Sequence, residues 1–399
     1  MARLHAIVAG AGIGGLTAAI ALARADCDVT VLERARTIEP LGAGIQISPN
    51  AAAVLRGLHL LNAVRFEALQ PEAIRIRAAG GRDLARIPLG AVAETRWGAP
   101  SLVMHRGDLQ RVLLAQVACE PGIALRTACD VKGFADVEGG IVVGLKHDGA
   151  GQEIGGDFLI GADGLRSTIR DQLGFGARDA PIYSGRTAWR GLIESVKAPP
   201  HALDLETNLW LGAGAHLVHY PLRGGTLVNV VAIVSDEWRG GAPDAFWSTP
   251  GEAAFVTARY RRWAPAARAL VGAVRDWRKW PLFDRNATAR WSLGRVALLG
   301  DAAHAMLPFL AQGSAQAIED AAALGAAVRR HGADVRAAFE DYEHARAPRA
   351  AAVQAISRRQ GSIYHLPQPA ALARDVVLGA LGPTRLLARY DWLYAPPAA

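Results

Sequence analysis

The run Ala6-Ile-Val-Ala-Gly10-Ala-Gly12-Ile-Gly14-Gly15-Leu16, closed by Asp28-Val-Thr-Val-Leu32-Glu33, decides how the chain is read. An apolar strand over 5–9 enters a glycine turn, then a small-residue helix over 16–24 and a second strand over 28–32. In Gly10-x-Gly12-x-x-Gly15 the first glycine permits a tight turn, the second lets backbone approach a pyrophosphate, and the third lets helix pack on strand. The helix N-terminus offers unpaired N–H groups and the positive end of its dipole to phosphates. Glu33, at the tip of the second strand, can accept both hydroxyls of a ribose and repels a 2′-phosphate, so the dinucleotide is FAD or NAD and not NADP. The uncharged stretch 6–23 approaches the length of a membrane span. Its glycines at turn spacing and its weakly basic start speak instead for a buried strand and helix, not a signal peptide.

Two further strand ends carry chemistry. Arg295-Val-Ala-Leu-Leu-Gly300-Asp301-Ala-Ala-His304 is a buried strand ending in Gly-Asp, followed by Pro308, Gln312, Gly313 and a helix over about 313–330. An aspartate there can hold a sugar-alcohol chain, and the helix can aim its first N–H groups at an anionic ring edge. Gly161-Ala-Asp163-Gly164-Leu-Arg166-Ser167 follows the apolar strand 158–161. Between these, 181–235 alternates apolar and polar residues as half-buried antiparallel strands do, and 73–102 also reads as strand. The fold class is therefore α/β: a Rossmann-like nucleotide-binding domain over 1–72, 98–180 and 281–330. It is interrupted by a mostly antiparallel substrate domain over 73–97 and 181–280 and followed by a helical region over 331–399.

Composition fits this size and class. The 399 residues suffice for two or three domains, and 51% hydrophobic against 20% charged residues excludes a disordered chain. The 44 basic residues exceed the 37 acidic ones, for a net charge of +7, and only Lys132, Lys146, Lys197 and Lys279 are lysine. The arginines are scattered, which gives at most weak steering of anionic substrates and no basic, aromatic-interleaved face for nucleic acid. Three cysteines without a CxxC pair argue against a disulfide framework or a zinc site and fit a reducing cytoplasm. The apolar run 376–381 is too short for a bilayer, so no membrane partner is expected.

The three motifs, in this order and spacing, resemble the FAD fingerprint, the DG motif and the GD motif of single-component flavoprotein aromatic hydroxylases, over nearly the whole chain. Gly44-Ile-Gln46-Ile-Ser-Pro49-Asn50, Trp189-Arg190-Gly191, Tyr220-Pro-Leu-Arg223-Gly224-Gly225, Ala311-Gln312-Gly313, Glu319-Asp320 and Asp391-Trp-Leu-Tyr394 are similar to the salicylate hydroxylase and 6-hydroxynicotinate 3-monooxygenase branch. The resemblance implies bound FAD held by Gly10, Gly12, Gly14, Gly15, Glu33, Arg34, Arg106, backbone at Ala128, Asp163, Asp301 and the amides of Gly313 and Ser314. It also implies NADH or NADPH and O2 as co-substrates, with oxygen transfer to a small phenolic acid or hydroxypyridine through a flavin C4a-hydroperoxide. Decarboxylation accompanies transfer if a carboxylate sits on the attacked carbon, and the enzyme is a monomer or homodimer.

Such chemistry needs an electron-rich ring, best attacked as a phenolate, and a base near neutrality beside it. In Ala215-His216-Leu-Val-His219-Tyr220, alternation puts His216 and Tyr220 on one strand face and His219 on the other. His216 is the expected base and Tyr220 the residue that orients substrate. His219 is expected to be structural or solvent-facing, and His304 to pack and hydrogen-bond within its motif. Gln46 is placed at both flavin and substrate, and Pro308 and Phe309 form an apolar wall beside the ring. Pro308 stands where 3-hydroxybenzoate 6-hydroxylases tend to carry glutamine, which argues against that branch. Two other readings stay open: an epoxidase or oxidoreductase on a non-phenolic substrate, and a non-catalytic FAD-binding protein.

Overall fold

The computed structural model of the chain describes residues 3–39, 43–175, 180–237 and 249–395. Strand His5–Ala9 leads into helix Ile13–Ala23 and strand Asp28–Leu32. The helix starts earlier than its apolar pattern suggests, because Gly12 adopts the extended N-cap conformation and Gly14 and Gly15 already belong to the first turn. These strands lie in a six-stranded sheet, ordered Ser292–Leu293, Val296–Leu298, Phe158–Gly161, His5–Ala9, Asp28–Leu32 and Ile123–Arg126. All pairings are parallel except the edge hairpin at 292–293. Parallel strands bury both faces, which is why each reads as an unbroken apolar run.

An eight-stranded sheet follows the order Thr249–Pro250, Arg278–Asp284, Ile182–Glu194, Leu227–Ser235, Ala215–Leu222, Glu206–Gly212, Ala73–Ala78 and Asp83–Pro88. Strand Arg278–Asp284 straddles residue 280, where the sequence places a boundary. One face of this sheet is covered by helices Ala253–Tyr260 and Pro265–Ala273 over a core rich in tryptophan (Trp189, Trp210, Trp263, Trp277). Its other face looks onto the nucleotide-binding half. The stretch 73–102 is not strand throughout. Gly90–Trp97 is a helix that buries Ala93 and Trp97, four residues apart, and stops at left-handed Gly98 (φ 70°). Its Trp97 indole donates to Asp391 at 2.9 Å and meets the Tyr394 ring edge-on, tying the C-terminal end to this sheet.

Helix Val335–Tyr364, 30 residues long, runs along both halves of the molecule. Tyr342 donates to the Leu298 carbonyl of the parallel sheet at 3.0 Å, and Ser357 donates to the Leu307 carbonyl at 2.6 Å. Helix Ala370–Ala388 and the short Asp391–Tyr394 complete the described chain. Among the described residues no helix is long and apolar enough to cross a membrane, and no cluster of His, Cys, Asp and Glu could hold a metal ion.

Candidate active site

Strand pairing brings the three sequence motifs together. Ala9 pairs with Gly161 and Gly161 with Leu298, so Gly10, Asp163 and Gly300–Asp301 leave the parallel sheet side by side at the carboxyl ends of its strands. Ligands bind at that edge of an open α/β sheet. The glycines differ in what surrounds them. A Cβ on Gly10 (φ +107°) would lie 2.5 Å from the Ala162 carbonyl oxygen, and one on Gly15 would lie 2.0 Å from that of Gly10. Those two glycines, with Gly14 against Leu299 and Ala317, serve close packing. Gly12 alone in this turn has nothing within 4 Å of a Cβ position, which leaves the open side of the helix N-terminus to a ligand.

The acids that would hold the nucleotide are placed accordingly. Glu33 accepts the N–H of Ala11 and of Ala35, both at 2.9 Å, so its carboxylate is held against the glycine turn. Arg34 beside it is exposed. Ala128 has a left-handed backbone (φ 55°) and its N–H donates to Ala35. Asp163 accepts the N–H of Ile169 at 3.3 Å through Oδ2, while its buried Oδ1 has no partner. Burial raises its carboxyl above the ordinary range, against the opposing hydrogen bond from Ser167. Asp301 is exposed between buried neighbours, so it opens onto an internal space. Burial nevertheless raises its carboxyl, with His304 and then Arg106 pulling it down. Arg106 is itself desolvated, and Asp301 helps keep it charged. An open glycine cradle, an orphaned carboxylate oxygen and an acid–arginine pair in one cleft suit a pyrophosphate and a polyhydroxy chain, so the residues present fit FAD.

The loop after Asp301 is held by a buried polar network. His304 Nε2 lies 2.5 Å from Asp320 Oδ2, which also accepts the Gly300 N–H at 3.1 Å. Arg346 donates to Asp320 Oδ1 at 2.8 Å, to Glu319, and to Gln316 Oε1 at 2.8 Å, and Arg349 Nε donates to Glu319 at 2.8 Å. Asn50 donates to Glu319 and Gln312, and Gln312 donates to Ser48 at 2.9 Å. Buried carboxylates persist only when paired and hydrogen-bonded in this way. The network fixes left-handed Ala311 (φ 52°) and Gln312, the N-cap of helix Gly313–His331. Gly313 and Ser314 are thus the first helical residues, whose N–H groups have no carbonyl of their own helix to bond.

Opposite this loop stands one face of the large sheet. Directly paired residues share a face: Tyr220 with Asn229, Val218 with Val231 and Arg190, His216 with Ile233 and Ala188, and Ser235 with Arg186. His216 and Tyr220 lie together on it, both almost fully buried. Burial, then the nearby His365 and Arg186, push the His216 imidazolium pKa well below its ordinary value, and burial likewise raises the Tyr220 phenol, with Arg190 opposing. The Arg190 Nε is buried without a hydrogen-bond partner, and among the described residues its guanidinium has no ion pair. Gly44, whose N–H donates to Asn229 Oδ1 at 2.8 Å, would carry a Cβ 2.6 Å from Tyr220. Gln46, two residues on in strand Gly44–Ile47, shares that side. Phe309 is a packing residue on this face: its ring lies against Gly361, the His216 edge, Tyr364 and the Arg186 guanidinium. Pro308 opens the short helical turn Pro308–Leu310 that carries it. His219, on the opposite face, is fully buried and accepts the Trp210 indole N–H at 3.2 Å.

Arg186, Arg190 and His365 are the residues of this face to which the sequence reading gives no role. The two arginines are four apart on strand Ile182–Glu194 and so share a side, a period-2 signal that was available. His365 gives no local sign, since it arrives from the far end of the long helix.

A dinucleotide cleft at a strand-end crevice faces a His/Tyr/Arg surface across one loop, and likeness to known proteins gives this arrangement its class, an FAD-dependent monooxygenase. The chain belongs to the FAD binding domain family, whose model matches residues 3–357. It is 35% identical to a 3-hydroxybenzoate 6-hydroxylase of Polaromonas naphthalenivorans (98% of this chain, 96% of that one). It is 37% identical to a 3-amino-4-hydroxybenzoate 2-monooxygenase of Streptomyces cremeus (98% and 95%). The fold matches the solved complex of Klebsiella pneumoniae HpxO with FAD and uric acid at a TM-score of 0.85, with 28% identity over 99% of this chain and 98% of that one. Similarity to a 3-hydroxybenzoate 6-hydroxylase thus stands alongside Pro308.

Proposed function

We propose that the protein hydroxylates a small anionic aromatic compound, a phenolic acid or hydroxypyridine, with NADH or NADPH and O2. The observation that carries this reading is the His216/Tyr220/Arg190 face, whose histidine and tyrosine are buried and whose arginine is half-buried. The Arg190 guanidinium lies over the Trp280 ring with no carboxylate beside it among the described residues, so it can take a substrate anion, and the two neutral hydrogen-bonding side chains beside it can orient ring substituents. FAD, held by the cleft, supplies redox and oxygen chemistry. The chain's own residues bind and orient the ring, and the apolar segment 307–310 with Phe309 and Ile233 keeps water out. The 3-hydroxybenzoate and amino-hydroxybenzoate relatives act on compounds of this class by name.

The test is NADH and NADPH oxidation by purified yellow protein against phenolic acids and hydroxypyridines, with product mass recorded. A substrate that speeds oxidation and gains one oxygen, with or without CO2 loss, supports the reading. A complete panel that leaves oxidation unstimulated and unmodified ends it. His216→Ala is expected to keep its flavin while product formed per NADH falls about a hundredfold, the scale of losing one positioned hydrogen-bond donor. Mass quantitation against NADH consumed checks this.

A further inference from the structure

His365 closes the site from a distance of 149 residues. It caps the C-terminus of helix Val335–Tyr364, its carbonyl accepts the Gly214 N–H at 3.1 Å, and its ring lies against His216 and Phe309. Three polar contacts define its state. Arg186 Nε donates to His365 Nδ1 at 3.2 Å, Ser235 Oγ stands 3.5 Å from the same nitrogen, and His365 Nε2 lies 2.7 Å from His216 Nδ1. A guanidinium has donors only and keeps its charge in proteins. His365 Nδ1 is therefore an acceptor, the proton of the neutral ring sits on Nε2, and that N–H is given to His216 Nδ1. A neutral His216 with Nδ1 accepting carries its own proton on Nε2.

We infer that Arg186 and His365 are positioning residues that hold His216 in the Nε2–H tautomer, so that His216 meets a substrate oxygen as a hydrogen-bond donor and not as the base that removes its proton. The inference rests on the proposed substrate class only for the oxygen it names. Both rings are neutral by burial first, and the charges of Arg186 and Arg374 add to this for His365, whose pKa falls to about 3. Tyr364 and Phe309 face His216 with their rings, and the Tyr260 hydroxyl donates to its backbone carbonyl at 2.7 Å. A protonated His216 would set a second N–H against His365 Nε2. To accept it, His365 would have to move its own proton to Nδ1, facing the guanidinium. Each cationic state of His216 thus breaks one bond of the chain. A donor at this point suits a carboxylate or an already ionised phenol, whose charge Arg190 on the same face would share.

The experiment is 15N NMR of the flavin-loaded protein with 15N-labelled histidine, His216 being assigned by its loss in His216→Asn. The expected spectrum has His216 Nδ1 unprotonated and Nε2 protonated, unchanged across neutral pH. In His365→Gln the side-chain oxygen can accept from Arg186 and the amide can donate to His216, so tautomer and coupling are expected to survive. In His365→Leu the His216 signals are expected to show mixed tautomers, and product per NADH to fall about tenfold, the scale of one lost hydrogen bond. Protonated Nδ1 in the wild type, or a Leu variant with the same single tautomer, overturns the inference. The spectrum needs no substrate, so failure of the substrate screen leaves it standing, and the reverse holds too.

Discussion

Gly12→Ala is expected to leave the apoprotein folded and yet purify nearly without flavin. Gly12 is extended (φ −71°, ψ 177°), a conformation alanine adopts freely, and its Cβ position has no protein atom within 4 Å. The added methyl group meets only what binds there. Overpacking of that kind costs about 1–3 kcal/mol, roughly a ten- to hundredfold loss of affinity. Flavin absorbance per protein and titration of the apoprotein with FAD measure the loss, while the apoprotein's unfolding temperature should stay at the wild-type value. Gly15→Ala is the contrast: its Cβ would fall 2.0 Å from a backbone oxygen, so it should destabilise the chain with or without flavin. A Gly12→Ala protein with full flavin content would remove the pyrophosphate from this turn.

Arg346→Met should have the largest effect on stability. Arg346 is almost fully buried and serves Glu319, Asp320 and Gln316 at once. Removing it leaves Glu319 with Arg349 and Asn50 and Asp320 with His304 and the Gly300 N–H, one buried cation short, at a cost of about 3 kcal/mol, or roughly a 10 °C fall in unfolding temperature. The pH dependence follows from the same groups. Burial alone would raise both carboxyls. For Glu319 the Arg349 hydrogen bond and the Arg346 charge outweigh it, and for Asp320 His304 and Arg346 do, so both end below their ordinary values. Their contribution is complete above the unfolded carboxylate pKa values and is lost as pH falls through the depressed folded ones. Wild-type unfolding temperature should therefore drop on acidification below the ordinary carboxylate range, and the variant should drop less. Adding Asp320→Asn to Arg346→Met should recover part of the loss, because the two changes act on one contact. Calorimetry over a pH series reads all three outcomes, and additive losses would disprove the coupling.

Local pattern made much of this molecule legible. The glycine turn, the Gly-Asp strand end and the Asp-Gly segment each declare a strand followed by a backbone turn, and parallel pairing then has little choice but to bring them together. Alternation in 215–222 placed His216 and Tyr220 on one face for the same reason. What stayed hidden depends on contacts between distant segments. Asn50 reaches Glu319 across 269 positions and His365 reaches His216 across 149, and neither leaves a local period. Phe309 shows the limit in another way: its apolar character was readable, but whether it lines open space or fills a gap beside Gly361 depends on the helix that brings Gly361 there. The helix at Gly90–Trp97 stayed hidden because its two short turns, Gly-Ala-Val-Ala-Glu-Thr-Arg-Trp, bury only Ala93 and Trp97 and are too short to declare a helical period.

Helix Val335–Tyr364 touches the flavin-loop network at Arg346 and, through its terminal cap, the His216 ring at His365. Those two points are separated by roughly 28 Å along one continuous helix. The helix works as a spacer gauge between reagent and target: adding one residue between them would swing one end by about 100° relative to the other. Descendants of this gene can lengthen surface connections freely, but this interval tolerates exchange of letters and no change in their number.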